Sequence, residues 1–146
     1  EGQACGLVKN LSLMCSVSVG TSTEPIIEYM ASRNMEILEE YEPQRYPNAT
    51  KIFLNGSWIG VHHDPKALVR DVQQLRRSSQ IPPEVSLVRD IRDREFKIFS
   101  DAGRVMRPLY VVEQEDTRTA VKGQLALDRA MLQKLIDDGD PDKVAE

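Results

Sequence analysis

Across residues 50–77 the hydrophobic pattern changes its period once, and that change predicts a hairpin followed by a helix. Ile52, Phe53 and Leu54 run into Asn55-Gly56, and Ser57, Trp58, Ile59 and Val61 run out of it. Asn-Gly accepts the positive φ angles of a two-residue type I′ turn, so the two apolar runs should pair as antiparallel strands. Counting outward from the turn sets Leu54 against Ser57, Phe53 against Trp58 and Ile52 against Ile59. That register puts Ile52, Leu54, Ile59 and Val61 on one face and Phe53 with Trp58 on the other. Beyond Asp64-Pro65, an N-cap acceptor and a first-turn proline, Leu68, Val72 and Leu75 recur at helical spacing. Arg76 and Arg77 fall at the negative end of that helix's dipole.

The flanks are less regular. Leu7, Val8, Leu11, Leu13 and Met14 have a helix-like spacing and precede the strand-like run 16–19. A second helix is predicted from Pro25 to about Ser32, with Ile26, Ile27, Tyr29 and Met30 on its apolar side. The acidic, proline-punctuated stretch 34–48 reads as an exposed connection anchored by Met35, Ile37 and Leu38. Ser78 to Glu84, with Pro82-Pro83, is the clearest break. Three strands are predicted after it, at 85–91, 96–100 and 105–112, the last interrupted by Pro108 and so placed at an edge or bulge. Asp101-Ala102-Gly103 turns between the last two. A final helix is expected over 121–138, stopped by Gly139, with 141–146 frayed. The fold class is therefore α+β: a β-hairpin plus helix module, then a small antiparallel sheet and a C-terminal helix.

Composition narrows the function classes. The 146 residues, 40% hydrophobic and 29% charged with a formal net charge of −4, suit one ordinary core or two small ones. They argue against a protein whose whole surface grips nucleic acid. A local basic face is still available from Arg70, Arg76, Arg77, Arg89, Arg92, Arg94, Arg104 and Arg107, unless these pair with the acids beside them. Asp90, Asp93, Glu95 and Asp101 alternate with those arginines and Lys97, which favours cross-strand ion pairing over a carboxylate site. Cys5 and Cys15 have no His nearby and read as reduced, packed thiols. His62-His63-Asp64 is the one cluster of metal-type ligands, but neighbouring strand residues face opposite ways, so the pair should not share an ion. Phosphate-cradling glycine motifs are absent. No run approaches the roughly 20 apolar residues of a membrane span, and no membrane partner is expected. The chain opens on Glu1, without a methionine and in mid-pattern, and is expected to be a piece of something longer. Residues alone support a module with no visible active site; an alternative is a freestanding α+β module that binds RNA or an acidic protein partner.

The first eleven residues, EGQACGLVKNL, resemble the segment after the fork region in second-largest subunits of multisubunit DNA-directed RNA polymerases. The likeness continues through ATKIFLNGSWIGVHHDP, the LRR end of the helix, and PEVSLVRDIRDREFKIFSDAGRVMRPLYVVE, as far as Glu113. Gln3 and the wording SLVRDIRDREFKIFSDAGR are similar to the RNA polymerase II form more than to polymerase I, polymerase III or archaeal forms. The resemblance implies the end of the fork over 1–20, a first external module over 21–80 and the beginning of a second over 81–146. It implies a structural role in transcription, a nuclear nucleotidyltransferase assembly, and as partners the other polymerase subunits, the DNA template and the RNA product. No cofactor is implied within this segment, since the largest subunit holds the magnesium of the parent enzyme. It implies no catalytic and no metal-ligating residue here, and places Glu1, Gln3, Lys9 and Asn10 nearest the nucleic acid. Residues 114–146 carry no matching wording.

Overall fold

Asn55 and Gly56 take φ angles of 51° and 86°, and the turn they form joins strands β3 (Thr50–Leu54) and β4 (Ser57–His62) as the sequence predicts. The computed structural model describes residues 2–139. In chain order the other elements are β1 (Ser16–Val17), α1 (Glu24–Ser32), β2 (Glu36–Ile37), a 3-10 turn (Leu38–Glu40), α2 (Pro65–Arg77), β5 (Ser86–Asp90), β6 (Glu95–Phe99), β7 (Val105–Met106) and α3 (Arg129–Asp138). The α+β class with a C-terminal helix stands. The chain divides into two compact units, one made of residues 2–17 with 105–139 and the other of 18–104.

The unit 18–104 is built on a five-stranded sheet in the order β2-β4-β3-β6-β5. The predicted β5–β6 pair is antiparallel, but β6 also pairs in parallel with β3, Ile52 beside Phe96 and Leu54 beside Ile98. Hairpin and second sheet are thus one sheet. The joint is fastened by Asn55: its N–H donates to the Ile98 carbonyl at 2.9 Å, its Nδ2 to Ser100 Oγ at 3.0 Å, and its Oδ1 accepts from the Ser100 N–H at 2.8 Å. Ser100 is fully buried there, and its polar groups are satisfied as burial demands. On one face Ile52, Leu54, Phe96 and Ile98 pack with Ile26 and Met30 of α1 and Leu68 and Val72 of α2. Asp64 Oδ1 accepts from the Ala67 N–H at 3.2 Å, so it caps α2 as expected.

The hairpin register departs from the simple count. It slips between Ile52 and Phe53, so Gly60 rather than Ile59 opposes Ile52, and Val61 opposes Lys51. A bulge of this kind moves every later residue to the opposite face. Val61 accordingly is buried yet lies outside the main core cluster, while His62, opposite Thr50, turns inward. The stretch 34–48 is not wholly an open connection either. Met35 is buried and Glu36–Ile37 adds the edge strand β2 alongside β4.

In the other unit β1 pairs with β7 antiparallel, Ser16 with Met106 and Val17 with Val105. The predicted third strand is thus two residues long and belongs to this pair, not to the larger sheet. The expected helix over 7–14 is a turn at 2–7 followed by irregular chain. The C-terminal helix begins at Arg129, because Val112 bridges Leu125 and Gly123 turns at φ 89° before it. Asp128 caps it and Gly139, at φ 61°, stops it. The tail expected to fray, 141–146, lies outside the described residues.

Candidate functional site

Of the residues singled out for nucleic acid, those the structure describes sit in a turn at 2–7 and the irregular chain after it. The Leu7 N–H donates to the Ala4 carbonyl at 3.1 Å and closes a turn in which Gly6 takes φ 82°. Such a backbone tolerates only glycine without strain. Gln3 lies in that turn, Lys9 and Asn10 lie on the chain just after it, and all three are exposed. Their side chains have no partner among the described residues, and Glu1 lies outside them. Cys5, in the same turn, is exposed and Cys15 half-buried, so the two thiols are free but not packed as the sequence suggested.

His62 and His63 divide as strand alternation requires. The His62 Nδ1 accepts from the Asp64 N–H at 2.9 Å, which leaves Nε2 as the protonated nitrogen, donating to the Arg33 carbonyl at 2.7 Å. Both ring nitrogens of this buried side chain are therefore occupied. His63 is exposed, its Nε2 3.2 Å from Glu36 Oε2 and its ring 4.3 Å from that of Tyr46. No group of three metal-type ligands occurs among the described residues. Added zinc is accordingly expected to leave the melting temperature of the chain unchanged, and a rise of several degrees in a thermal scan would contradict this arrangement.

The charged residues of 84–104 serve local geometry instead of cross-strand pairing. Asp90 Oδ1 accepts from the Asp93 N–H at 3.0 Å to close the β5–β6 turn. Lys97 pairs along its own strand with Glu95 at 3.2 Å, and Arg94 Nη1 donates to Asn48 Oδ1 at 2.6 Å. Arg104 joins Asp101 Oδ1 at 2.9 Å and the Glu84 carbonyl at 2.8 Å, with Ser86 Oγ beside it. The Glu84 carboxylate in turn accepts the N–H groups of Val19 and Gly20. Arg76 is half-buried, and its Nη1 donates to the Val85 carbonyl at 3.1 Å. Burial, then the adjacent Arg77 charge, lowers its pKa from the ordinary value, and it stays a cation at neutral pH. Arg77, Arg89, Arg92 and Arg107 are exposed without side-chain partners among the described residues.

Sequence reading passed over one concave feature. On the sheet face opposite the main core, a groove of about 310 Å³ is lined by Phe53, Gly56, Glu95, Lys97 and Phe99. Phe53 stacks on Trp58 with ring centroids 6.3 Å apart, and Lys51 Nζ lies 4.9 Å from the Trp58 ring centre. The alternation Glu95-Phe96-Lys97-Ile98-Phe99 carries its signal, since Phe99 shares a face with Lys97 and not with Phe96.

Comparison with known proteins supplies what the local chemistry does not. Residues 52–113 match the family model described as RNA polymerase Rpb2, domain 4. The chain is 52% identical over 136 residues to DNA-directed RNA polymerase II subunit RPB2 of Meyerozyma guilliermondii, covering 93% of this chain and 11% of that protein. It is 51% identical over 140 residues to the Schizosaccharomyces pombe RPB2, covering 96% and 12%. It is 50% identical over 115 residues to DNA-directed RNA polymerase II subunit 2 of Arabidopsis thaliana, covering 79% and 10%. The first two matches run past Glu113, so residues 114–146 are less foreign to these proteins than their wording suggests. The chain spans about a tenth of the length of these relatives, and it belongs to the family of second-largest subunits of DNA-directed RNA polymerase II.

Proposed function

We propose that the chain is a structural part of the second-largest subunit of RNA polymerase II and supports DNA-templated RNA synthesis in the nucleus without performing a chemical step. The observation that carries this reading is the division of apolar burial. Among the described residues, all twelve buried apolar side chains lie within 18–104, whereas Leu7, Leu13 and Leu109 of the other unit are 81%, 88% and 89% exposed. An apolar surface on that scale belongs against a neighbour, and here the neighbour is the remainder of the polymerase. In this reading residues 1–20 end the fork, 21–80 form the first external module and 81–146 begin the second, with the β3–β6 pairing tying the last two together. Nucleotidyl transfer and its magnesium belong to the assembled enzyme, the metal being held by the largest subunit. Glu1, Gln3, Lys9 and Asn10 are the residues nearest template and transcript.

Leu7→Asp with Leu13→Asp, introduced into the full-length subunit, is expected to cut the recovery of assembled polymerase at least about tenfold, because covering a carboxylate costs several kcal/mol. Neither side chain belongs to the core of 18–104, so that unit should keep its fold. Normal recovery would overturn the scaffold reading. Alanine at Gln3, Lys9 and Asn10 together should shorten the lifetime of stalled elongation complexes as salt is raised. An unchanged lifetime would remove those residues from the nucleic-acid side.

A further inference from the structure

Helix α2 ends in a closure that normally contains glycine. The Ser79 N–H donates to the Arg76 carbonyl at 3.2 Å and the Gln80 N–H to the Leu75 carbonyl at 3.1 Å, the paired bonds of a Schellman motif. Its left-handed position is held by Ser79, at φ 60°, where a side chain costs on the order of 1 kcal/mol over glycine. Packing does not explain the choice. Ser79 is exposed, and its hydroxyl has no partner among the described residues, whereas the hydroxyl of the half-buried Ser78 donates to the Leu75 carbonyl at 3.1 Å. A hydroxyl kept at a strained position with no structural work points to a function for that hydroxyl.

The residues before it indicate which. Arg76 and Arg77 stand three and two positions ahead of Ser79, a pattern of cationic charge by which protein kinases select serines. We propose that Ser79 is a phosphorylation site for an arginine-directed serine/threonine kinase. The Ser79 oxygen attacks the γ-phosphorus of ATP, the bond to the β-γ bridging oxygen breaks, ADP leaves, and the hydroxyl proton passes to the kinase's catalytic aspartate. Access requires the last turn of α2 to open, and helix ends are the least stable part of such an element.

The consequence follows from what the new dianion meets. It lies at the negative end of the helix dipole, two residues after Arg77, which has no side-chain partner among the described residues, and three after Arg76, whose bond to the Val85 carbonyl ties the end of α2 to the approach to β5. A phosphate that draws off the Arg76 guanidinium loosens that tie.

The test uses assembled polymerase containing the full-length subunit, incubated with a purified arginine-directed kinase and magnesium ATP, with phosphate placed by peptide mass spectrometry. Phosphate is expected at Ser79, lost in Ser79→Ala, retained in Ser78→Ala, and reduced about tenfold in Arg77→Gln, the size of one lost charge-assisted contact. No incorporation in the assembled enzyme, phosphate on Ser78 alone, or incorporation unchanged by Ser79→Ala would each overturn the proposal.

Discussion

Phe96→Ala is expected to destabilise the unit 18–104 by about 3–5 kcal/mol, the usual cost of emptying a fully buried aromatic site. Phe96 is 0% exposed and sits in mid-sheet on β6, opposite Arg89 of β5 and beside Ile52 of β3. It packs in the cluster that includes Met30, Leu68 and Val72, so the cavity would be walled by both helices and could not collapse onto solvent. A unit of this size carries on the order of 4–13 kcal/mol in total at about 0.05–0.15 kcal/mol per residue, so the loss takes about a quarter of it or more. The chain's one tryptophan, Trp58, reports unfolding through its contact with Phe53, and a lower urea midpoint with an unchanged slope is the expected result. Phe99→Ala is the control. Three residues along the same strand, Phe99 is half-buried and faces the groove, so its loss should cost about 1 kcal/mol at the half-exposed end of the transfer scale. Equal effects at the two positions would mean that the sheet does not separate a core face from a groove face.

The elements that could be read from the sequence are those whose determinants lie within a few residues of one another. Asn55-Gly56 sets its own turn, Asp64-Pro65 starts α2, and Leu68 and Val72 face the core at the spacing that predicted them. Elements that depend on distant partners were misread. The parallel β3–β6 pairing joins residues 44 positions apart, such as Ile52 and Phe96, and no local pattern encodes it. Val105 and Met106 read as part of a longer strand because apolar alternation continues to Val112, but their partner is Ser16–Val17. The helical spacing of Leu7, Leu11 and Met14 marks residues that need covering, and among the described residues nothing covers them. A periodic pattern reports where apolar surface must go, and it becomes a helix only when a packing face supplies the stability that short helices lack. The proposed site was legible only as surface: Gln3, Lys9 and Asn10 are exposed, and the role proposed for them rests on likeness to polymerase subunits, not on local chemistry.

Gly60→Ala should be more damaging than Gly56→Ala, although the turn glycine is the one a sequence reading selects. At Gly56 an added β-carbon meets nothing within 4 Å, and its cost is conformational, φ 86° for a residue that prefers negative values, or about 1–2 kcal/mol. At Gly60 the added carbon would collide with the backbone carbonyl oxygen of Glu36 and press on Met35 Cγ at 3.2 Å. A backbone oxygen in a ladder cannot step aside as a flexible side-chain tip can. Relief therefore requires β2 to leave β4, breaking the Ile37–Gly60 and Glu36–Val61 pairs. The buried Met35 and the His62 contact with the Arg33 carbonyl go with it. Overpacking alone costs about 1–3 kcal/mol, and the lost edge strand brings the expected total to about 3 kcal/mol or more with the unpaired groups counted. Hydrogen exchange separates the two variants: Gly60→Ala should expose the amides of 35–37 while those of β3 and β6 stay slow, whereas Gly56→Ala should lower protection across the whole sheet by a similar small amount. Retained protection at 35–37 in Gly60→Ala would show that the edge strand can yield without leaving.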